Sequence, residues 1–281
     1  MFSRSIVSKQ QVNPLNMSIS KKRSPHGLWD SPLKPEELAN ELRFSDVLWT
    51  TDGRSLIWRE ERSDHGVLVH QSKDPNGVRD ITELLSVQAK VGYGGGDFTV
   101  SQGYAYFVAD GKIFRQDIRG HQARPITPQC GQCSSPCVSP NGKYITYIHS
   151  SKTTDLLALV DSEGMHCPTH LSRGHDFYMQ PCWHPAGTLI AWIAWDHPNM
   201  PWDGSALYLG QLSPGQRLPS FSSEKILTGN ARGNTAFFQP CFSPNPMTQV
   251  SASHSQRVMR TERMYQNFVL ELEWRHLQPK G

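Results

Sequence analysis

Short runs that are apolar on both faces, set apart by Gly-containing turns, recur along this chain. The longest, Leu189-Ile190-Ala191-Trp192-Ile193-Ala194-Trp195, has the length of a buried strand and falls far short of a membrane-crossing helix. Tyr144-Ile145-Thr146-Tyr147-Ile148 and Ser55-Leu56-Ile57-Trp58 have the same character. A sheet with one wet face would alternate apolar and polar residues, so these strands predict sheets covered on both sides. Further strands are predicted at Thr99-Val100, 104–108 and 112–116, with the Asp110-Gly111 turn between the last two. Residues 156–160 and 206–209 read as short outer strands, and Asp161-Ser162-Glu163-Gly164 as a turn. Two segments have helical spacing instead. Residues 33–43 carry Pro35 in the first turn, early acids and a Leu38/Leu42 stripe, while residues 261–277 place Met264, Phe268 and Leu272 at i,i+4.

The strands belong to a repeat. Pro136-Cys137-Val138-Ser139-Pro140-Asn141-Gly142, Pro181-Cys182-Trp183-His184-Pro185-Ala186-Gly187 and Pro240-Cys241-Phe242-Ser243-Pro244-Asn245 are close copies, starting 45 and 59 residues apart. Asp46-Val47-Leu48-Trp49-Thr50-Thr51-Asp52-Gly53 is a diverged one. In each, an apolar residue (Trp49, Val138, Trp183 or Phe242) ends a short strand. In the close copies a Pro then stops that strand, because it cannot donate to a ladder, and Asp-Gly, Asn-Gly or Ala-Gly supplies the hairpin turn in the first three copies. Periods of this size suit propeller blades. The fold expected is all-β, an incomplete β-propeller of about 4–5 blades, with a short N-terminal helix and a C-terminal helical tail. A β-sandwich is the competing arrangement, and the shared turn grammar argues against it.

Composition narrows the function. Twenty-two Gly and twenty Pro disfavour a helical bundle. The net charge of +3 is local: taking the five bases among residues 1–25 from the 28 leaves 23, against 25 acids. A near-neutral body gives no nucleic-acid surface, and no segment suits a membrane. The basic, acid-free start reads as a disordered extension (1–27) or an organelle transit peptide, with no secretory apolar core, so a cytoplasmic protein is expected and an organellar one is the alternative. Cys130-x-x-Cys133 with His166, Cys167 and His170 has zinc-like spacing, but Cys137 belongs to the repeat, and the expectation is no metal and no cofactor.

Leu28-Trp29-Asp30-Ser31-Pro32-Leu33, Phe44-Ser45-Asp46-Val47, Tyr93-Gly94-Gly95-Gly96 and Gly174-His175-Asp176-Phe177-Tyr178 resemble segments of S9 serine peptidases of the prolyl oligopeptidase, acylaminoacyl-peptidase and dipeptidyl-peptidase type. Ala194-Trp195-Asp196-His197-Pro198-Asn199-Met200-Pro201-Trp202-Asp203-Gly204 is the most specific match, and the resemblance runs from about Leu28 to Pro244. It implies an N-terminal propeller that covers an active site and filters substrates by size, followed by an α/β-hydrolase domain with its Ser in Gly-x-Ser-x-Gly. The chain departs from the family here, because no Gly-x-Ser-x-Gly occurs in its 281 residues. The expected organisation is a partial propeller over 28–250 and a divergent, helical tail over 251–281.

Asp196, His197 and Asp203 put carboxylates beside an imidazole, the raw material of acid–base catalysis, yet no nucleophile with an oxyanion hole accompanies them. No catalytic residue is therefore assigned. Asn199-Met200-Pro201 reads either as a binding loop or as a loop pinned by Trp195 and Trp202. Asp176 is expected to stabilise a turn. Gly94-Gly95-Gly96 lacks the Lys-Ser/Thr of a phosphate loop and is expected to be a backbone crossing near the propeller axis. The function expected is that of a non-catalytic propeller fragment of an S9-type serine peptidase, inactive alone, with a free-standing interaction module as the alternative. Its expected partners are a peptide substrate or a hydrolase domain or chain, and an unclosed ring is expected to self-associate.

Overall fold

The computed structural model describes Pro25 and residues 42–63, 65–73, 77–91, 96–120, 122–151, 154–243 and 250–256. These form successive antiparallel sheets, each a meander in chain order. The first holds β1 (Leu42–Trp49), β2 (Leu56–Arg62), β3 (His65–Gln71) and β4 (Val78–Asp80). The second holds β5 (Phe98–Ser101), β6 (Tyr104–Ala109), β7 (Lys112–Asp117) and β8 (Ala123–Pro125). The third holds β9 (Gln132–Val138), β10 (Tyr144–Ser150), β11 (Asp155–Asp161) and β12 (Thr169–Ser172). The fourth holds β13 (Phe177–Trp183), β14 (Leu189–Trp195), β15 (Ala206–Ser213) and β16 (Ser220–Gly229), and the last pairs β17 (Thr235–Phe242) with β18 (Val250–Gln256). The opening strands β1, β5, β9, β13 and β17 pack in succession, as inner strands of a propeller do. Four blades and the start of a fifth make an incomplete ring.

Alternate residues of one strand serve two different interfaces, which explains the missing polar face. Along β14, Ile190, Trp192 and Ala194 pack toward the third sheet, whereas Ala191, Ile193 and Trp195 join Phe237 of the last sheet. Along β6, Ala105 and Phe107 meet Ile57 and Leu68 of the first sheet, while Tyr106 and Val108 meet Ile145 and Tyr147 of the third. Each fully buried side chain of Leu or Phe size contributes about 1.5–3 kcal/mol, so the core is a series of inter-blade layers rather than one central mass.

The repeat turns form as the sequence requires. Gly53, Gly142 and Gly187 have φ of 63°, 71° and 73°, and each donates its N–H to the carbonyl of Thr50, Ser139 or His184 at 2.8 Å. The Ser or Thr that opens two of these turns also reaches across: Ser55 N–H donates to Thr50 Oγ1, and Tyr144 N–H to Ser139 Oγ.

One backbone device is absent from the sequence reading. Asp46, Gly96, Ser135, Gln180 and Gln239 all have positive φ (38°, 97°, 50°, 51° and 52°), one beside or within the inner strand of each blade. In β1, β9, β13 and β17 this residue sits at a register shift, a β-bulge. The bulge turns the amide away from its own ladder and toward the preceding blade. Gly96 N–H donates to Asp46 Oδ2 at 3.1 Å, Ser135 N–H to the Gly96 carbonyl at 2.8 Å, and Gln239 N–H to Gln180 Oε1 at 2.6 Å. Gly96 is thus the backbone crossing expected of the glycine run. A Cβ there would lie 2.7 Å from Ser135 Cα.

Two expected boundaries change. The N-terminal helix was expected to reach residue 43, but Leu42 and Arg43 belong to β1, where pairing with Arg62 and Glu61 overrides helical spacing. The rest of that helix, the expected extension over 1–27 apart from Pro25, Tyr93-Gly94-Gly95 and the helix expected at 261–277 lie outside the described residues. The sheet also continues past residue 250, since β18 runs to Gln256 and pairs with β17. The helical tail expected from 251 therefore gives way to a strand at its start.

Candidate functional site

Three of the residues singled out by the sequence, His175, Asp176 and Asp196, meet at one end of the fourth blade. Gly174, with φ of 117°, turns the chain into β13, and β14 delivers Asp196 just after Trp195. His175 Nδ1 lies 3.0 Å from Asp196 Oδ1, and His175 Nε2 lies 2.6 Å from the Tyr208 hydroxyl on β15. With Nδ1–H donated to the carboxylate, Nε2 is left as the acceptor for the Tyr208 O–H. Asp196 Oδ1 also accepts the Asp176 N–H at 3.1 Å, and Arg232 Nε stands 3.7 Å from Oδ2. A second chain of hydrogen bonds lies alongside, with Tyr178 OH 3.5 Å from Ser172 Oγ, which donates to Glu224 Oε1 at 3.1 Å.

The order carboxylate, imidazole, hydroxyl is that of a nucleophilic relay, but the hydroxyl cannot serve as one. Tyr208 is buried, and its ring stacks on Trp192 at 5.6 Å. Burial pushes its phenol up to about 12, away from the ionised form that would attack. Burial likewise raises Tyr178, and it raises Glu224 above the usual carboxylate range. The cluster clamps β13, β14 and β15 together instead.

His197 and Asp203 do not join it. The His197 ring packs edge-on against Phe177 at 4.8 Å, and the His197 backbone N–H donates to Asp176 Oδ2 at 2.9 Å. Asp176 therefore fixes the loop leaving β14, a broader role than the turn expected of it. Asp203 Oδ2 accepts the Met200 N–H at 3.0 Å. Asn199 Nδ2 donates to the carbonyls of Gly204 and Gly233, at 3.3 and 2.8 Å, and ties this loop to the next turn. The loop is rigidly held, yet it leaves Met200 53% and Trp202 59% exposed. Trp195 is buried and pins the base, stacked on Phe177 at 5.1 Å, whereas Trp202 points to solvent. Arg232, on the turn before β17, is also exposed and stands 3.7 Å from Asp196 Oδ2. An exposed Trp and Met on a tied-down loop are of the kind that anchor interfaces.

The zinc-like cysteines and histidines are dispersed. Cys133 is buried 3.8 Å from Thr127 Oγ1, and burial pushes its thiol up to about 12. Cys130 Sγ lies 3.8 Å from His149 Nε2, and His166 bonds Asp161. Among the described residues no three such side chains converge on a metal position. A shallow depression beside Pro168–Arg173 is lined by one strand and brings no reactive groups together.

No protein-family model matches the chain, and no curated protein matches it. Solved structures do. A puromycin-hydrolysing peptidase of Mycobacterium tuberculosis superposes with a TM-score of 0.67 at 19% identity, over 83% of this chain and 38% of the peptidase. A puromycin hydrolase gives 0.68 at 22% identity, over 82% of this chain and 39% of the hydrolase. TolB from Acinetobacter baumannii gives 0.53 at 16%, over 75% of this chain and 52% of TolB. The chain spans about two fifths of the length of these two puromycin-hydrolysing enzymes. At these identities the likeness is one of fold: the chain is an incomplete β-propeller, structurally similar to the propeller region of S9 peptidases.

Proposed function

We propose that this chain is a non-catalytic propeller portion of an S9-type serine peptidase, shaping the access of peptides to a reaction centre that a hydrolase domain or chain supplies. The observation that carries the reading is the superposition on part of two puromycin-hydrolysing enzymes by a chain without a Gly-x-Ser-x-Gly elbow. The one relay among the described residues that has the order of a triad ends on a buried, un-ionised tyrosine, which supports a structural role for it. A second reading, a free-standing interaction module, draws on the exposed Met200 and Trp202 of the pinned loop.

The test is to join an S9 hydrolase domain to the C-terminal side of this chain and compare chromogenic peptides of increasing length. The chain alone is expected to hydrolyse none, and the joined protein to favour short peptides more strongly than the hydrolase domain does by itself. Hydrolysis by the chain alone, or length preference unchanged by its presence, contradicts the reading.

A further inference from the structure

The repeat turn has the same backbone in the first, third and fourth sheets but different chemistry in the fourth. Its opening residue donates its N–H five residues on, from Thr50 to the Ser55 carbonyl, Ser139 to Tyr144 and His184 to Leu189, at 2.9, 2.8 and 2.9 Å. In the first and third sheets that residue is a hydroxyl paired with a side-chain acceptor two places later. Thr50 Oγ1 donates to Asp52 Oδ1 at 2.7 Å, and Ser139 Oγ to Asn141 Oδ1 at 2.8 Å. The fourth sheet has His184 and Ala186 in these places. Ala186 offers no side-chain acceptor, and the ring takes over: the Ala186 N–H donates to His184 Nδ1 at 3.0 Å.

That hydrogen bond fixes the tautomer. Nδ1 accepts only while it is bare, so the ring proton sits on Nε2. His184 is 4% exposed, and its Nε2 is buried with no hydrogen-bond partner among the described residues. The ring meets Phe242 of β17 edge-on at 5.1 Å, between the fourth and last sheets. A second proton would take Nδ1 away from the Ala186 N–H and bring a charge into this layer. The elements around it supply no counter-charge. β14 has no titratable side chain, β13 has Tyr178 and Cys182, and β17 has Cys241. Burial keeps Tyr178 and Cys182 un-ionised. His254 of β18 stands opposite Phe237, toward the other end of the sheet. Lys143 and Arg217, on the neighbouring turn and loop, are exposed and cationic. Burial accordingly lowers His184 from the ordinary imidazole range.

We propose that His184 is a proton-operated latch: on gaining a proton its ring leaves Phe242, and the turn end of the β17–β18 sheet opens from the fourth blade. The other end stays tied, because Ser205 N–H donates to the Thr235 carbonyl at 2.9 Å and Asn199 Nδ2 to the Gly233 carbonyl at 2.8 Å, and neither bond titrates. In the open state the imidazole titrates near about 6.5, and in the closed state below that. The closed state is therefore fully favoured above about pH 6.5 and loses ground as pH falls toward its own lowered value, by up to about tenfold in population per pH unit. The latch is a property of this chain whatever reaction it serves.

The test is amide hydrogen exchange of the full chain by NMR at about pH 7.5 and about pH 5.5, with each rate corrected for its intrinsic pH dependence. Protection of the β17 amides beside Phe242 is expected to fall several-fold at the lower pH, while the centres of β6 and β10 keep theirs. The variant His184→Ser with Ala186→Asn gives the fourth sheet the pair that the third sheet has, and is expected to keep its β17 protection at both pH values. A second measurement needs no substitution: the His184 ring C–H shift, followed through the same pH range, is expected to titrate below about 6.5. Protection at β17 that does not change with pH, or that falls equally in every blade, overturns the proposal. So does a pH-dependent loss that persists in the variant, or a His184 ring that titrates at or above the ordinary value.

Discussion

Trp183 and Trp49 share a register position but not an environment, and truncating each to alanine measures the inter-blade layer. Trp183 is 9% exposed, donates two hydrogen bonds to the third blade and packs beside Tyr178 and Trp192. Trp183→Ala removes a buried aromatic, which costs about 3–5 kcal/mol from lost transfer energy and the cavity left behind. Trp49 is 64% exposed and spans no gap within the chain, so Trp49→Ala is expected to change stability by less than about 1 kcal/mol. For a domain of this size each kcal/mol moves Tm by about 2–4 °C, so a gap of roughly 3 kcal/mol between the variants is a gap of about 6–12 °C. The assay is urea unfolding with a matching thermal melt, followed by near-ultraviolet circular dichroism at concentrations where the chains are separate. Equal losses for the two variants, or a Trp183→Ala loss under about 1 kcal/mol, would refute the blade-on-blade reasoning.

Three further outcomes follow from local geometry. Burial raises the Asp161 carboxyl, but hydrogen bonds from the Met165, His166 and Glu163 amides and from the His166 ring outweigh it, and the net shift is downward. A carboxyl lowered on folding contributes stability above its unfolded pKa and loses it as pH falls through the folded one, so Asp161→Asn should flatten the stability loss below about pH 4 in acid titrations of unfolding. Gly204 has no room for a side chain, since a Cβ would meet the Gly233 carbonyl oxygen, and Gly204→Ala should cost about 1–3 kcal/mol by urea unfolding and detach the loop from its neighbouring turn. Tyr208→Phe deletes the hydroxyl on His175 and should cost about 1–2 kcal/mol in the same assay; a variant as stable as the original would show that the clamp carries no load.

The repeat was legible because turn chemistry is local. Asn141-Gly142 and Ala186-Gly187 place a glycine where the turn takes a left-handed residue, and residues 189–195 leave little choice but a strand buried on both faces. Blade stacking was legible for the same reason, since Trp192 and Ile193 point opposite ways and both are apolar. The bulges were not. A Pro within a strand, such as Pro136, Pro181 or Pro240, reads as a breaker, whereas β9, β13 and β17 run straight through theirs. The signal lay in the polar residue before each proline, Ser135, Gln180 or Gln239, which takes the left-handed conformation. The clamp was out of reach for another reason. His175, Asp196 and Tyr208 lie on separate segments, and only the hairpins of the fourth blade bring them together. Helical spacing at 33–43 misled at its end because Leu42 suits a strand as well as a helix, and pairing with β2 decides between them.

Amide hydrogen exchange at Ser135 and Gln239, followed by NMR, tests the radial arrangement most directly. Both amides sit at bulges and find their acceptors only on the preceding blade. Stacked blades predict that they exchange as slowly as the ladder amides at the centre of β10. Exchange as fast as that of the exposed turn at Asp52 would mean that no blade lies where these amides point, and the propeller account would fall.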